Sequence, residues 1–341
     1  MQLSNIYLYF LVAILSFKGF FRSKTDEDVD LIICNAGAGD ALVLLALLED
    51  QIFLNKRYDL VTSHHSKILL QSLDQSLFKN IYSNVSEAFN PYKKKYGKVY
   101  SIRIKLFDAK YLLINQSKFE RFIPNPIYDK LRLFQRIFLA LHRKKKIEFY
   151  NKRHVRNIFA DILSLDGRDK FSRNSILGQK PRIMFHVAGD SNTRKLDKKT
   201  VYEVCLLLPE YDFIIVGGVT DKILYPKSFF TLENVSCIVG HKAIDQYQKI
   251  MQEVDMIIGP DSMFIHFADR NNLPSVAIMG PAPVKMWGPR HPDSISLSVN
   301  PPCSPCTKEN CDIYNGNSCV QSITSIQISD ACKRIIKQKG V

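Results

Sequence analysis

The sequence predicts an α/β protein made of two doubly wound parallel sheets, and three observations point there. Short apolar runs that end in glycine alternate with helical stretches, first around residues 29–62 and again from residue 182 onward. The 341 residues are too many for one ordinary core and suit two domains. Hydrophobic residues make up 46% and charged residues 23%, which excludes wholesale disorder and fibrous repeats.

Taken in order, Met1 to Phe17 holds no charge and Ile6 to Phe17 is almost entirely apolar. A membrane span needs ~20 apolar residues, so this stretch is slightly short. It lacks the basic start and small-residue cleavage site of a secretory signal. Lys18, Arg22 and Lys24 on its C-terminal side would keep the body of the protein cytoplasmic. Residues 1–24 are read as a membrane-associating segment, with a core or oligomer-interface helix as the alternative. Val29 to Cys34 then reads as a buried strand, Gly37 and Gly39 as a turn, and Ala41 to Leu48 as a helix. Tyr58 to Thr62 fits the next strand. Residues 66–156 read as helix-rich, with an apolar stripe of Leu131, Phe134, Ile137, Phe138 and Leu141 at helical spacing. Within residues 90–156 there are 19 basic and 4 acidic side chains, so the whole net charge of +14 originates here. That concentration argues for an anionic partner.

Loop-like sequence near 166–181 marks a boundary, giving domains over 25–175 and 176–341. Strands are expected at Arg182–Val187, Asp212–Val216, Asp255–Ile258 and Ser275–Met279, with helices at Thr200–Leu208 and Ala243–Glu253. The strands end in Gly217-Gly218, Gly259-Pro260 and Gly280-Pro281, and ligands of such sheets bind beyond these C-terminal ends.

Two constellations could carry chemistry. Gly37, Gly39 and Asp40 join the first strand to its helix. They could be a truncated dinucleotide fingerprint with Asp59 as the ribose carboxylate. Val43 replaces the third glycine, however, and Asp40 would repel a pyrophosphate. Asp261 and Ser262 end a strand at a helix start, and His266 lies one turn on, on the same face. Free N–H groups, a hydroxyl and a histidine there suit a diphosphate; the plain alternative is a helix cap beside a core histidine.

Together with His186 and the loop to Arg194-Lys195, Gly217-Gly218, Leu273-Pro274, Gly280-Pro281, Trp287-Gly288-Pro289 and the cysteine-bearing tail, these stretches make the chain resemble glycosyltransferase family 9, the lipopolysaccharide heptosyltransferases, over roughly residues 29–335. The resemblance implies a GT-B fold, two Rossmann-like domains facing a cleft, the first binding acceptor and the second the nucleotide sugar. It implies inverting, metal-independent transfer, usually of heptose from ADP-heptose to the lipopolysaccharide inner core. It places Asp40 as catalytic base beside Gly37 and Gly39. It places Arg194, Lys195, Asp221, Asp261, Ser262 and His266 on the donor. Met263-Phe264 stands where the family has Gly-Pro, and Leu196-Asp197 where it has Trp-Pro. The implied partners are a nucleotide sugar, an anionic glycolipid acceptor and the inner-leaflet surface, with nucleic acid not among them. The implied place is the cytoplasmic face of the inner membrane. No cofactor is expected; Cys303, Cys306, Cys311 and Cys319 could hold a structural zinc or remain thiols or a disulfide. A catalytically silent binding protein of the same fold and a dinucleotide-dependent oxidoreductase are the competing readings.

Overall fold

A computed structural model describes residues 29–35, 37–51, 57–73, 76–88, 96, 98–103, 119–122, 153–163, 165–171, 180–187, 189, 192–240, 244–304, 306, 311 and 319–338. The apolar N-terminal segment, the stripe at 131–141 and the lysines at 144–146 lie outside them. Among the described residues no helix is long and apolar enough to cross a membrane. The chain divides into two compact units, Met1–Phe149 with Ile158–Gly167, and Tyr150–Asn157 with Arg168–Val341.

In the first unit, strands β1 (Asp30–Cys34), β2 (Tyr58–Thr62), β3 (Phe78–Tyr82), β4 (Val99–Arg103) and β5 (Phe119–Phe122) form a parallel sheet in the order β3-β2-β1-β4-β5. Three of these strands fall inside residues 66–156, so the expectation of a helix-rich stretch there is corrected. Polar β3 (Phe-Lys-Asn-Ile-Tyr) lacks the apolar run that gives a buried strand away in sequence. Helix α1 (Ala38–Glu49) follows β1, and α2 (His64–Leu73) follows β2. Leu42, Leu44, Leu45 and Leu47 of α1 have no exposed surface, which makes it a core helix with little polar face. Each such leucine contributes about 1.5–3 kcal/mol of burial. Among the described residues of this part of the chain, α3 (Val85–Ala88) and α4 (Val155–Leu163) follow.

The second unit holds β6 (Arg182–His186), β7 (Asp212–Val216), β8 (Val235–Cys237), β9 (Met256–Pro260), β10 (Ser275–Ile278) and β11 (Ile295–Leu297). All pairings are parallel, in the order β11-β10-β9-β6-β7-β8. Counted from its own first strand this is 3-2-1-4-5-6 reversed end for end, the order of a dinucleotide-type fold. The period-two alternation of strands sorts the core onto two faces. Ile183, Phe185, Val276 and Ile278 pack with Val201, Val204 and Cys205 of α5 (Lys198–Leu207), and with residues of a C-terminal helix over Ser325–Gln338. On the other face Ala277 and Met279 meet Ile265 of a helix over Met263–Arg270. Among the described residues these two helices, with α6 (Ile244–Gln252) and a short turn over Val284–Trp287, are numbered in chain order: α7 is Met263–Arg270, α8 Val284–Trp287 and α9 Ser325–Gln338.

Candidate functional site

In the first unit the order of strands reverses between β1 and β4, and β1 is the strand that feeds α1. Ligands of open parallel sheets bind at such switch points. Gly37 is the helix cap, with extended backbone (φ −70°, ψ 172°), and a Cβ there would meet nothing within 4 Å. Its glycine is therefore not demanded by its neighbours; it leaves the approach to the helix start open. Asp40 lies in the first turn of α1 and is only 6% exposed. A carboxylate there gains from the positive end of the helix.

Asp59 is not a ribose ligand. It is the second residue of β2, at the end away from the C-terminal edge, and has no exposed surface. Its carboxylate accepts from Asn80 Nδ2 at 2.9 Å, the Tyr82 hydroxyl at 3.2 Å and the Tyr96 hydroxyl at 2.9 Å. Asp30, the other carboxylate of this region, accepts the Lys98 backbone N–H at 2.8 Å. Both are internal ties of the sheet.

In the second unit the switch point lies between β6 and β9, and the sequence-expected donor residues gather there. His186 closes β6, and Asp261 and Ser262 follow β9 directly. Ser262 caps α7, its hydroxyl accepting the Phe264 N–H at 3.3 Å. The same oxygen is 3.3 Å from His186 Nδ1. Burial pulls His186 down to about 3, so the ring is neutral at ordinary pH, and in the Nε2–H tautomer Nδ1 accepts the Ser262 proton. The His186 ring also stacks on Phe264, with centroids 4.0 Å apart and planes 21° apart. Phe264, where the resembled family has proline, thus uses its ring to fix the histidine that orients the cap.

Arg194 ends a 3-10 turn over Asn192–Arg194, and its Nε lies 3.4 Å from Asp261 Oδ2. A guanidinium held by one carboxylate beside a helix start is prepositioned for an anion. Lys195 follows it, half-buried. His266, one turn into α7, is 5% exposed, and its Nδ1 has no hydrogen-bond partner among the described residues. Burial holds this ring neutral, down to about 4. A buried polar atom without a partner is rare enough to mark a place where a ligand supplies one. Trp287 meets His266 edge-on at 6.1 Å. The turn after Trp287 is pinned in place: Asp269 accepts the N–H groups of Arg290 and His291 at 3.0 Å, and His154 Nε2 lies 3.0 Å from the Gly288 carbonyl oxygen.

Asp221 stands apart from this group. It ends the 3-10 turn after β7, and its carboxylate accepts the Gly218 N–H at 2.9 Å. The four clustered cysteines are free thiols, Cys303 exposed and Cys319 buried, and among the described residues no three His, Cys, Asp or Glu side chains are placed to hold a metal. Cys303 lies near Cys306 and Cys311, and Cys319 near Cys311 and Cys303. Cys319 also backs the C-terminal edge of the sheet, since a Cβ on Gly280 would meet its sulfur at 2.9 Å and the Thr193 carbonyl oxygen at 3.5 Å. Sequence reasoning missed Tyr225, whose buried hydroxyl reaches two loop carbonyls, and Phe264 as the partner of His186. Neither has a local pattern to announce it.

Against known proteins, the sequence model of glycosyltransferase family 9 (heptosyltransferase) matches residues 230–315, which include Asp261, Ser262 and His266. No protein of curated function matches the sequence. Among solved structures, a family 9 glycosyltransferase from Veillonella parvula is similar at 13% identity and TM-score 0.67, over 93% of this chain and 100% of that one. The E. coli heptosyltransferase WaaC with ADP is similar at 11% identity and TM-score 0.62, over 92% of this chain and 100% of that one. E. coli ADP-heptose lipopolysaccharide heptosyltransferase II is similar at 13% identity and TM-score 0.58, over 92% and 99%. At these identities the likenesses establish the GT-B fold. With the family match they bear out the resemblance read from the sequence, and the reading of the chain as a glycosyltransferase.

Proposed function

Starting from a glycosyltransferase of the GT-B fold, we propose that the chain moves a heptose from ADP-heptose to the lipopolysaccharide inner core or a related envelope glycan. The gathering of Arg194, Asp261, Ser262 and His266 at one switch point, partly inside the family match, is the observation that carries this reading. The similar E. coli structures, one a heptosyltransferase with ADP and one an ADP-heptose heptosyltransferase, support the choice of donor.

In the proposed reaction the donor diphosphate lies against the start of α7. Its negative charge meets the N–H groups there, the Ser262 hydroxyl and the cations of Arg194 and Lys195. These groups stabilise the leaving diphosphate as the anomeric bond breaks. His266, neutral and with Nδ1 unsatisfied, offers a hydrogen bond to the donor without adding charge. Asp221 serves the nucleoside end. An acceptor hydroxyl is a poor nucleophile at neutral pH, so Asp40 takes its proton as the hydroxyl attacks, and the anomeric centre inverts. Gly37 and Gly39 leave room at that helix start. No metal is needed, because cationic side chains and a helix terminus do the work of neutralising phosphate. The basic residues of 90–156 would meet the anionic glycolipid at the inner-leaflet surface, with the 1–24 segment alongside and the body in the cytoplasm.

Arg194→Ala tests the donor assignment. A charge-assisted contact is worth about 1.5–3 kcal/mol, so ADP binding should weaken by about tenfold or more while adenosine binding holds. Calorimetric titration with both ligands reads this, and equal loss for the two would assign Arg194 another task.

A further inference from the structure

We propose that Tyr225 is a positioning residue that closes the neck of the loop bearing Arg194; this rests on the reading of that loop as the diphosphate binder. The chain leaves β6 at Val187, makes the 3-10 turn over Asn192–Arg194, and returns through Leu196 to α5. Val187 and Leu196 are thus the two ends of the excursion. They are joined directly, the Leu196 N–H donating to the Val187 carbonyl at a long 3.4 Å. Tyr225 supplies a second tie. Its hydroxyl lies 3.0 Å from the Val187 carbonyl oxygen and also bonds the Leu196 carbonyl oxygen, its one proton shared between the two. The ring is 2% exposed and belongs to the main core of this unit.

Three features make the tie more than packing. The phenol spans two acceptors nine residues apart in sequence, so it sets the width of the loop base. Burial pushes its ionisation well above the ordinary tyrosine range, so it stays a donor at any working pH. And Tyr225 is joined by its backbone to the nucleoside side, since its N–H donates to the Asp221 carbonyl at 2.9 Å while the Asp221 carboxylate caps Gly218. One five-residue segment, Asp221–Tyr225, therefore connects the place of the nucleoside to the loop that holds the diphosphate. A ligand that orders the Asp221 end also holds the hydroxyl against the loop base.

The experiment uses the full chain, with Tyr225→Phe and Arg194→Ala beside the unchanged protein. Phenylalanine fills the same space and removes only the hydroxyl. Amide hydrogen exchange is followed at Thr193–Leu196, with β9 amides in the same sample reporting that the fold persists. ADP and adenosine affinities are measured in parallel. Tyr225→Phe should speed exchange at Leu196 and weaken ADP by about five- to tenfold, the scale of one net hydrogen bond, with adenosine changed less than twofold. In the unchanged protein, ADP should slow exchange across Thr193–Leu196. Unchanged Leu196 exchange and ADP affinity in a folded Tyr225→Phe protein overturn the positioning role while Arg194→Ala still shows its selective loss. An absence of ADP protection at these amides in the unchanged protein overturns it too. If instead Arg194→Ala spares the preference for ADP over adenosine, the donor reading itself fails, and the role of Tyr225 falls with it.

Discussion

At the scale of single residues, the loop proposed to bind the donor is shaped by what little space it leaves. A Cβ on Gly189 would sit 2.6 Å from Arg194 Cβ and 3.5 Å from its Cδ. The root of the arginine side chain cannot swing away as its tip could, so any larger residue must push the turn itself. Gly189→Ala should therefore shift the guanidinium from Asp261 and weaken ADP binding several-fold, with the melting of the chain changed little because the loop lies at the edge of the core. Titration with ADP beside a thermal melt checks both halves of that expectation; unimpaired ADP binding would show that the loop absorbs the methyl without cost. Asp59 gives the opposite lesson at this scale. Its distance from Gly39 in sequence suits a nucleotide carboxylate, but hydrogen bonds from Asn80 and Tyr82 of β3 and from Tyr96 make it structural.

At the scale of elements, the ends of β6 and α7 carry a testable dependence on pH. Burial holds His186 at about 3 and His266 at about 4, and burial with the nearby Arg290 charge holds His154 at about 3. Each folded value lies below the unfolded one of about 6.5. The folded state therefore binds fewer protons, and stability is lost as pH falls below about 6.5, each histidine contributing on the order of 1 kcal/mol per pH unit. Burial acts oppositely on Asp269, raised to about 7, which favours the folded state as pH falls from 7 toward 4. Three histidines against one carboxyl leave a net loss. Trp287, the chain's single tryptophan, lies against His266 and reports on this unit. Denaturant titration followed by its fluorescence should give a midpoint that drops between pH 6.5 and 5; a flat midpoint would mean these rings take up protons in the fold as they do in the unfolded chain.

The same elements show what the sequence made legible. Asp30–Cys34 and Asp212–Val216 fall where the apolar runs place them, because strands buried on both faces are nearly continuous apolar stretches. The Ser262 cap and the facing His266 were legible from local spacing alone. Strands β3, β8 and β11 were not: they are short or polar edge strands, stabilised by pairing that no local pattern records. The ties from Tyr225 to Val187 and from His186 to Ser262 span 38 and 76 residues and exist only once the sheet has formed.

At the scale of the whole molecule, the two parallel sheets divide the proposed labour: one carries Asp40 at its switch point, and the other gathers at its own the groups proposed to bind the diphosphate. An Asp in the first turn of a helix also has a mundane role, favourable interaction with the helix terminus worth about 1 kcal/mol or less. Substitution by asparagine separates the two roles, since it keeps size and polarity but removes the base. The decisive measurement is turnover of ADP-heptose on a lipopolysaccharide-core acceptor by Asp40→Asn, with ADP affinity determined on the same preparation. The account predicts unchanged ADP affinity and a fall in turnover of about 10²-fold or more, the scale of a lost general base. Near-normal turnover in a folded Asp40→Asn protein would contradict it.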